Sequence, residues 1–234
     1  MRNIVISLGG SILIPTLEQN RISRYVPVLR AIAEHHRLFV VVGGGGAARD
    51  YIEAARKLGV DEATSDEIGI LVTRLNATLL IAALGDAVYP KVAENHAEAK
   101  KFAESKKIVI MGGITPGQTT DAVAAVLAEL VRASVFINVT SVNGIYDKDP
   151  KKHNGAKRFE TITPQQLLNI VSQIGLGAGS NNVLDIIAAR IVERSHIPLV
   201  VLDGTEPENL KNAILKGTFT GTIVSENNKN PLPL

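Results

Sequence analysis

The chain has 234 residues, of which 45% are apolar, 21% charged and 4% aromatic; its formal net charge is +2, and it has no cysteine or tryptophan. This apolar fraction excludes an intrinsically disordered chain, and the length fits one large domain or two small ones. The lack of cysteine excludes disulfides, thiolate metal sites and thiol catalysis, and the small net charge argues against a surface for nucleic acid or membrane.

The sequence carries no pattern of export or membrane insertion. No apolar run approaches the roughly 20 residues that a membrane span needs. The N-terminal MRNIVISLGGS lacks the basic region, apolar region and cleavage site of a signal peptide. These observations predict a cytoplasmic protein.

Five short runs rich in valine and isoleucine predict strands buried on both faces of a parallel sheet. They are Asn3–Leu8, Leu38–Val42, Lys107–Met111, Val135–Val139 and Pro198–Leu202. Helical patterns lie at 18–34, 47–58, 66–84, 119–132, 164–173, 181–194 and 207–216. The alternation predicts a single α/β domain, a three-layer α/β/α sandwich with a mainly parallel open sheet.

The segment 66–84 is apolar on almost every face, so a helix there needs cover on all sides. It fits either a central core helix or a subunit interface. Leu71, Leu75, Leu79 and Ile81 would be spread around the helix, which favours the interface and predicts a homo-oligomer.

Three predicted strands run into glycine: at Gly9 and Gly10, at 43–46, and at Gly112 and Gly113. All three turns would lie at the carboxyl edge of the sheet, where open α/β sheets bind ligands. Glycine lets backbone amides approach an anion closely, and a following helix N-terminus adds a favourable dipole. One such turn is common in any fold, but three at one edge predict a ligand with several phosphates.

Two familiar phosphate motifs fit poorly. The P-loop pattern GxxxxGK[ST] is absent. Gly43, Gly45 and Ala48 satisfy the GxGxxA pattern of dinucleotide-binding folds, which also calls for an acidic residue at the end of the next strand. Asp66 opens a predicted helix instead, so NAD binding is the less favoured alternative.

Four segments, in order along essentially the whole chain, resemble the amino acid kinase superfamily. They are SLGGS at 7–11, VVGGGGAAR at 41–49, GGITPGQTTDAVAA at 112–125 and TSVNGIYDKDP at 140–150. The nearest match within it is the archaeal type of uridylate kinase. The resemblance implies an amino acid kinase-like sandwich in which about 1–139 binds the phosphate acceptor and about 140–234 binds ATP. It also implies phosphoryl transfer from Mg-ATP to UMP and a homohexamer built as a trimer of dimers.

On the ATP side, the resemblance implies eight binding residues. They are Gly9, Gly10, Ser11, Gly45, Arg49, Thr140, Tyr146 and Asp149. The Arg49 guanidinium suits phosphate, although a solvated helix charge is the alternative. Tyr146 offers a flat face to adenine and Asp149 an acceptor, but GIYDKDP also fits an ordinary turn.

On the UMP side, the resemblance implies two residues outside the acceptor loop 114–120 and seven within it. They are Gly44 and Asp66, with Ile114, Thr115, Pro116, Gly117, Gln118, Thr119 and Thr120. Asp66 resembles a ribose-binding acid, and Ser65-Asp66-Glu67 would equally suit the start of a helix. Asp121 is assigned only to the helix N-terminus.

Two residues are assigned to catalysis, Arg49 and Asp185. Asp185 resembles the acid that orients catalytic groups in relatives; an ordinary acid in the first turn of a helix is the alternative. The five histidines form no metal-ligand pattern, so Mg²⁺ is expected to arrive with ATP and be held through its phosphates.

The chain departs from the superfamily in two places. Many members carry a lysine two residues before the first glycine pair, where this chain has Ser7, and the segment GAGSNN at 177–182 also lacks a lysine found in some relatives. Either Mg²⁺ and Arg49 suffice without this lysine, or a lysine from 148–152 reaches the site in its place. A third alternative is that the activity is weakened or altered.

Two other functions remain open on the sequence. One is a different small-molecule kinase of the superfamily, acting on acetylglutamate, carbamate, isopentenyl phosphate or fosfomycin. The other is a nucleotide-binding protein without catalysis, which only the missing lysine supports. Asp66 and the PGQTT loop favour a nucleotide acceptor.

Overall fold

The computed structural model describes residues 1–148, 150, 153–174 and 184–234. Within them, seven strands form one sheet in the order β3-β2-β1-β4-β6-β7-β5. The strands are β1 Asn3–Leu8, β2 Arg37–Val42, β3 Val109–Met111, β4 Val135–Thr140, β5 Thr161–Ile162, β6 Leu199–Asp203 and β7 Gly221–Val224. β1, β2, β3, β4 and β6 run parallel, whereas β7 pairs antiparallel with β6 and parallel with β5.

Helices cover both faces of the sheet. They are α1 Gly10–Leu13, α2 Ile22–Ala33, α3 Gly45–Lys57, α4 Glu62–Leu84, α5 His96–Phe102, α6 Thr120–Leu130, α7 Pro164–Ile174, α8 Ile186–Ser195 and α9 Pro207–Lys216. Alternate side chains of β1 enter different cores: Ile4 and Ile6 pack with α2, α4 and α9, and Val5 packs with α5, α6 and α8. This period of two is what a strand buried on both faces requires. The predicted three-layer, mainly parallel sandwich is confirmed.

The structure corrects several predicted boundaries. α2 begins at Ile22, not at residue 18. α8 begins at Ile186, and its predicted start at residue 181 lies outside the described residues. β3 shrinks to Val109–Met111 because Ile108 makes only an isolated bridge, to Val88. The sequence analysis missed α1, α5, β5 and β7, which are too short to display a hydrophobic period.

α4 is the longest helix of the described chain, and it begins four residues before the predicted start. Asp61 caps it by accepting a hydrogen bond from the Thr64 amide at 3.0 Å. Its inner face is buried against the sheet, while Leu71, Leu75 and Leu79 are 62%, 67% and 44% exposed. The three leucines form one exposed stripe, whereas Ile81 packs against the core.

By length and composition alone, α4 with the following turn, Glu62–Ala87, could cross a membrane. Arg74 and Asn76 interrupt its apolar residues, so it is not the unbroken apolar run that the sequence analysis found to be absent. A core helix passes the same test, and α4 has the contacts of one: Asn76, midway along it, is buried and hydrogen-bonded to the turn after β2.

Candidate active site

The glycine turns after β1 and β2 pack backbone against backbone at the carboxyl edge of the sheet. A Cβ on Gly10 would lie 2.1 Å from the Gly45 nitrogen and 2.6 Å from the Gly43 oxygen. A Cβ on Gly45 would lie 2.4 Å from the Ile14 oxygen, and its φ of +69° disfavours any side chain. Only glycine fits these positions, because no Cβ approaches backbone atoms so closely.

Backbone amides at the start of α3 are available to a ligand. Gly44 is the N-cap of α3, and no side chain caps this end. The first amides of a helix have no intrahelical acceptor, which makes the N-terminus a site for anions. The Gly9 amide differs, because it donates to the Val139 oxygen at 3.0 Å. Ser11 lies exposed in α1 beside this turn.

Arg49 supplies a cation next to these amides. It lies in the second turn of α3 and is exposed, and its Nη2 is 3.9 Å from the Cβ position of Gly46. No acidic side chain in the described part of the chain forms an ion pair with it. The guanidinium is thus free to bind phosphate oxygens over the turn after β2.

The loop 114–120 after β3 is held by Asp66. The Gly117 amide donates to Asp66 Oδ2 at 2.8 Å, and Gly117 has a φ of +77°. Since Asp61 caps α4, the alternative that Asp66 sits at the start of the helix is wrong. The structure therefore joins the two predicted parts of the UMP site, Asp66 and the loop.

Thr119 and Asp185 connect the ends of two helices. Thr119 caps α6 by accepting from the Ala122 amide at 3.1 Å, and its hydroxyl donates to Asp185 Oδ2. Asp185 Oδ1 accepts from the Ile187 and Ala188 amides at 2.7 and 2.9 Å, which makes Asp185 the N-cap of α8 and not an acid of its first turn. Both carboxylate oxygens thus hold protein groups in place.

Ser7 and Asp121 form a pair that the sequence analysis did not find. Ser7 is 1% exposed, and its hydroxyl donates to Asp121 Oδ1 at 2.6 Å. Burial raises the pKa of Asp121 to about 6, and the Asp185 charge acts in the same direction, while hydrogen bonds from Ser7 and Asn138 lower it. No local sequence signal identified this pair, because the two residues are 114 positions apart in the chain.

The ATP half is only partly described. Thr140 ends β4, and its oxygen accepts from the Gly204 amide at 2.9 Å. The half-buried Tyr146 donates its hydroxyl to Asn143 Oδ1 at 2.5 Å. Lys148 is exposed beside Gly155. Asp149, Lys151, Lys152 and the segment GAGSNN at 177–182 lie outside the described residues.

Comparison with known proteins places the chain in one family. Residues 2–203 match the amino acid kinase family. The chain belongs to this family.

Curated relatives of this amino acid kinase match it over its full length. It is 75% identical to a uridylate kinase of Methanoregula boonei and 62% identical to one of Methanoculleus marisnigri, with 100% of this chain and of each relative covered. A crystal structure of the uridylate kinase from Archaeoglobus fulgidus superposes with a TM-score of 0.86 at 44% identity, covering 96% of this chain and 100% of that one. A UMP kinase from Ureaplasma parvum, 24% identical with a TM-score of 0.76, shows the same fold.

Proposed function

We propose that this amino acid kinase is a UMP kinase, which transfers a phosphoryl group from ATP to UMP and gives ADP and UDP. The 75% full-length identity to a protein named uridylate kinase carries the assignment. The site has the matching chemistry, with free amides and a free Arg49 at two abutting glycine turns and an acceptor loop held by Asp66. A place in pyrimidine nucleotide biosynthesis and a cytoplasmic location follow from this proposal.

The reaction demands alignment of two polyanions more than acid–base chemistry. A phosphate oxygen of UMP attacks the γ-phosphorus in line; the new O–P bond forms as the bond between that phosphorus and the β–γ bridging oxygen breaks, and ADP leaves. The attacking oxygen is already largely ionised near neutral pH, so no protein base is required. The amides of the turn after β2 and the Arg49 guanidinium offset the repulsion between the two substrates.

We place the acceptor on the part formed by about 1–139 and ATP on the part formed by about 140–234. Gly44, Asp66 and the loop 114–120 bind UMP in this proposal. Gly9, Gly10, Ser11, Gly45 and Arg49, with Thr140, Tyr146 and Asp149, bind ATP. Arg49 stabilises the transferring charge, and Asp185 orients Thr119 at the start of α6.

Mg²⁺ is the proposed metal, and when bound with ATP it neutralises phosphate charge. The groups around the glycine turns are amides, hydroxyls and a guanidinium, which suit phosphate oxygens better than a cation. Across residues 1–148, 150, 153–174 and 184–234, no three His, Asp or Glu side chains are grouped as metal ligands. Coordination mainly through ATP fits this set of donors.

An ADP-release assay at fixed Mg-ATP tests the function, with UMP, CMP, dCMP and AMP as acceptors. We expect the highest kcat/KM with UMP. Acetylglutamate, carbamate, isopentenyl phosphate and fosfomycin test the other kinases of the superfamily. Binding of both nucleotides without ADP release would support a non-catalytic protein and overturn the proposal.

We expect Asp66→Ala to raise KM for UMP and to leave KM for ATP nearly unchanged. The variant loses the Gly117 contact and the proposed acceptor for ribose hydroxyls, and a hydrogen bond to a charged group contributes about 1.5–3 kcal/mol. Steady-state kinetics with each substrate varied in turn measure the effect. Glu67→Ala, on the neighbouring exposed residue, is the control. Equal rises in both KM values would contradict the assignment.

We also propose that the enzyme is a homohexamer built as a trimer of dimers, with the leucine stripe of α4 (Leu71, Leu75 and Leu79) in an interface. A charged side chain within an apolar interface is unpaired and costly, so Leu75→Glu should lower the mass in light scattering before the subunit unfolds. Leu130→Glu is the control, since Leu130 is 42% exposed in α6 on the other face of the sheet. A monomer mass for the unaltered protein at micromolar concentration would contradict this assembly.

A further inference from the structure

The buried face of α4 carries two polar side chains that reach the glycine turns of neighbouring strands. Asn76 is 4% exposed, and its Nδ2 donates to the carbonyl oxygens of Gly43 and Gly44, both at 3.0 Å. Thr73 is 7% exposed; its hydroxyl accepts from the Gly113 amide at 2.7 Å and donates to the Ile70 oxygen at 2.6 Å. One helix thus holds the turns after β2 and β3.

Packing alone does not favour Asn76 and Thr73 on a buried helix face. Asparagine and threonine form helices less readily than alanine or leucine, and a buried polar group is unfavourable unless it is hydrogen-bonded. The surrounding face of α4 is otherwise filled by residues such as Val72, Ala77 and Leu80. The polar atoms of Asn76 and Thr73 bind backbone groups more than 30 residues away in the chain.

Asn76 holds the carbonyl groups of the turn after β2 on the side of α4, and the Gly44 oxygen also accepts from the Ala48 amide at 3.4 Å. In a planar trans peptide, a carbonyl and the following N–H point in opposite directions. Because the Gly43 and Gly44 carbonyls point to α4, the Gly44 and Gly45 amides point away from it. The Gly45 nitrogen lies next to the turn after β1, 2.1 Å from the Cβ position of Gly10. No described residue accepts a hydrogen bond from either amide.

Thr73 acts in the same way on the turn after β3. A Cβ on Gly112 would lie 2.6 Å from Thr73 Oγ1, so the hydroxyl occupies the space beside this glycine. The neighbouring Arg74 donates from Nε to the Gly113 oxygen at 3.3 Å. Both bonds to Gly113 fix the start of loop 114–120 relative to α4, which also carries Asp66.

We propose that Asn76 and Thr73 are positioning residues of the phosphoryl-transfer site: Asn76 aims the amides of Gly44 and Gly45 at the substrate phosphates, and Thr73 fixes the start of the acceptor loop. The proposal rests on the proposed function and extends it to two residues that touch no substrate. Sites supported by side chains from a rigid element hold their geometry more closely than sites on free loops.

Kinetics separate positioning from simple packing. Asn76→Ala should lower kcat/KM at least tenfold, raising KM for both substrates because its turn lies between them. Thr73→Val should raise KM for UMP about tenfold and leave KM for ATP within twofold, and Thr73→Ser, which keeps the hydroxyl, should restore KM for UMP. Asn76→Ser is the milder variant in case Asn76→Ala does not fold, and it should show the same pattern as Asn76→Ala.

Asn3→Ala is the matched control. The side-chain Nδ2 of Asn3 also donates to a backbone carbonyl, that of Val131 at 2.6 Å. This contact lies at the opposite edge of the sheet. It should lower Tm and leave both KM values and kcat unchanged. If the Asn76 and Thr73 variants also lower only Tm, the proposal is overturned.

Hydrogen exchange of the ligand-free protein tests the contacts without turnover. Thr73→Val should expose the Gly113 amide to exchange, Thr73→Ser should not, and Asn76→Ala should speed exchange in segment 42–48. If UMP is not a substrate but these changes occur, the proposed function fails and the positioning stands. Unchanged exchange in folded variants overturns the positioning, whatever the substrate.

Discussion

Arg49→Ala should lower kcat/KM for UMP phosphorylation by about a hundredfold or more, the scale of a lost donor to a developing anion. Arg49 is exposed in the second turn of α3 and has no acidic partner in the described chain, so its charge is available to the phosphates. Charge-assisted hydrogen bonds are roughly twice as strong as neutral ones. Initial rates of ADP release at varied UMP and at varied Mg-ATP measure the loss.

Ser7→Ala is the contrast to Arg49→Ala. The Ser7 hydroxyl is buried and already donates to Asp121, so its removal should lower kcat by less than about tenfold, or 1.4 kcal/mol. Loss of activity at Ser7 together with near-normal activity of Arg49→Ala would overturn this account. The cationic role would then be sought by single alanine substitutions of Lys148, Lys151 and Lys152.

Asp121→Asn should change how stability depends on pH. The folded protein raises the pKa of Asp121 from 3.8 to about 6, mainly through burial. Between these values the folded state binds more protons than the unfolded state, so this group's contribution to stability falls as pH rises. Above pH 7 the free energy of unfolding has lost the full contribution of this group, about 3 kcal/mol. The asparagine variant lacks this loss and should gain stability relative to the original protein between pH 4 and pH 7.

Urea unfolding at several pH values gives the free energy of unfolding of Asp121→Asn and of the original protein. Subtracting one from the other cancels the titration of the groups that both proteins share. The same measurement on Ser7→Ala is a second test of the pKa of Asp121. This variant removes a hydrogen bond that lowers the pKa of Asp121, so the pH at which stability falls should move upward. Parallel stability curves for Asp121→Asn and the original protein would refute the assigned pKa.

Some features of the site could be predicted because they depend on neighbours in the chain. The turns at Gly10 and at 43–46 were recognised from their glycines, and the structure explains them by contacts that leave no room for a Cβ. The association of Asp66 with loop 114–120 was expected only from family resemblance. In the structure it is a hydrogen bond between residues 51 apart in the chain.

The partners of Ser7, Thr73 and Asn76 could not be predicted. Each lies in a largely apolar segment, where a polar residue is equally compatible with a satisfied core position. Asp121 was assigned to a helix N-terminus, which is correct as far as local structure goes. Its bond to Ser7 depends on the packing of α6 beneath β1 and β4, which no local pattern reports.

The sequence by itself determined the α/β class, the five parallel strands and the position of the glycine turns at their ends. These follow from hydrophobic period and from glycine's conformational freedom, which act within a few residues. Tertiary structure alone decided the antiparallel β7, the burial of one face of α4 with its leucines left outside, the polar contacts from α4 to the glycine turns, and the contact from β1 to α6. Those features join residues from 19 to more than 100 positions apart, so they arise only when the strands and layers pack.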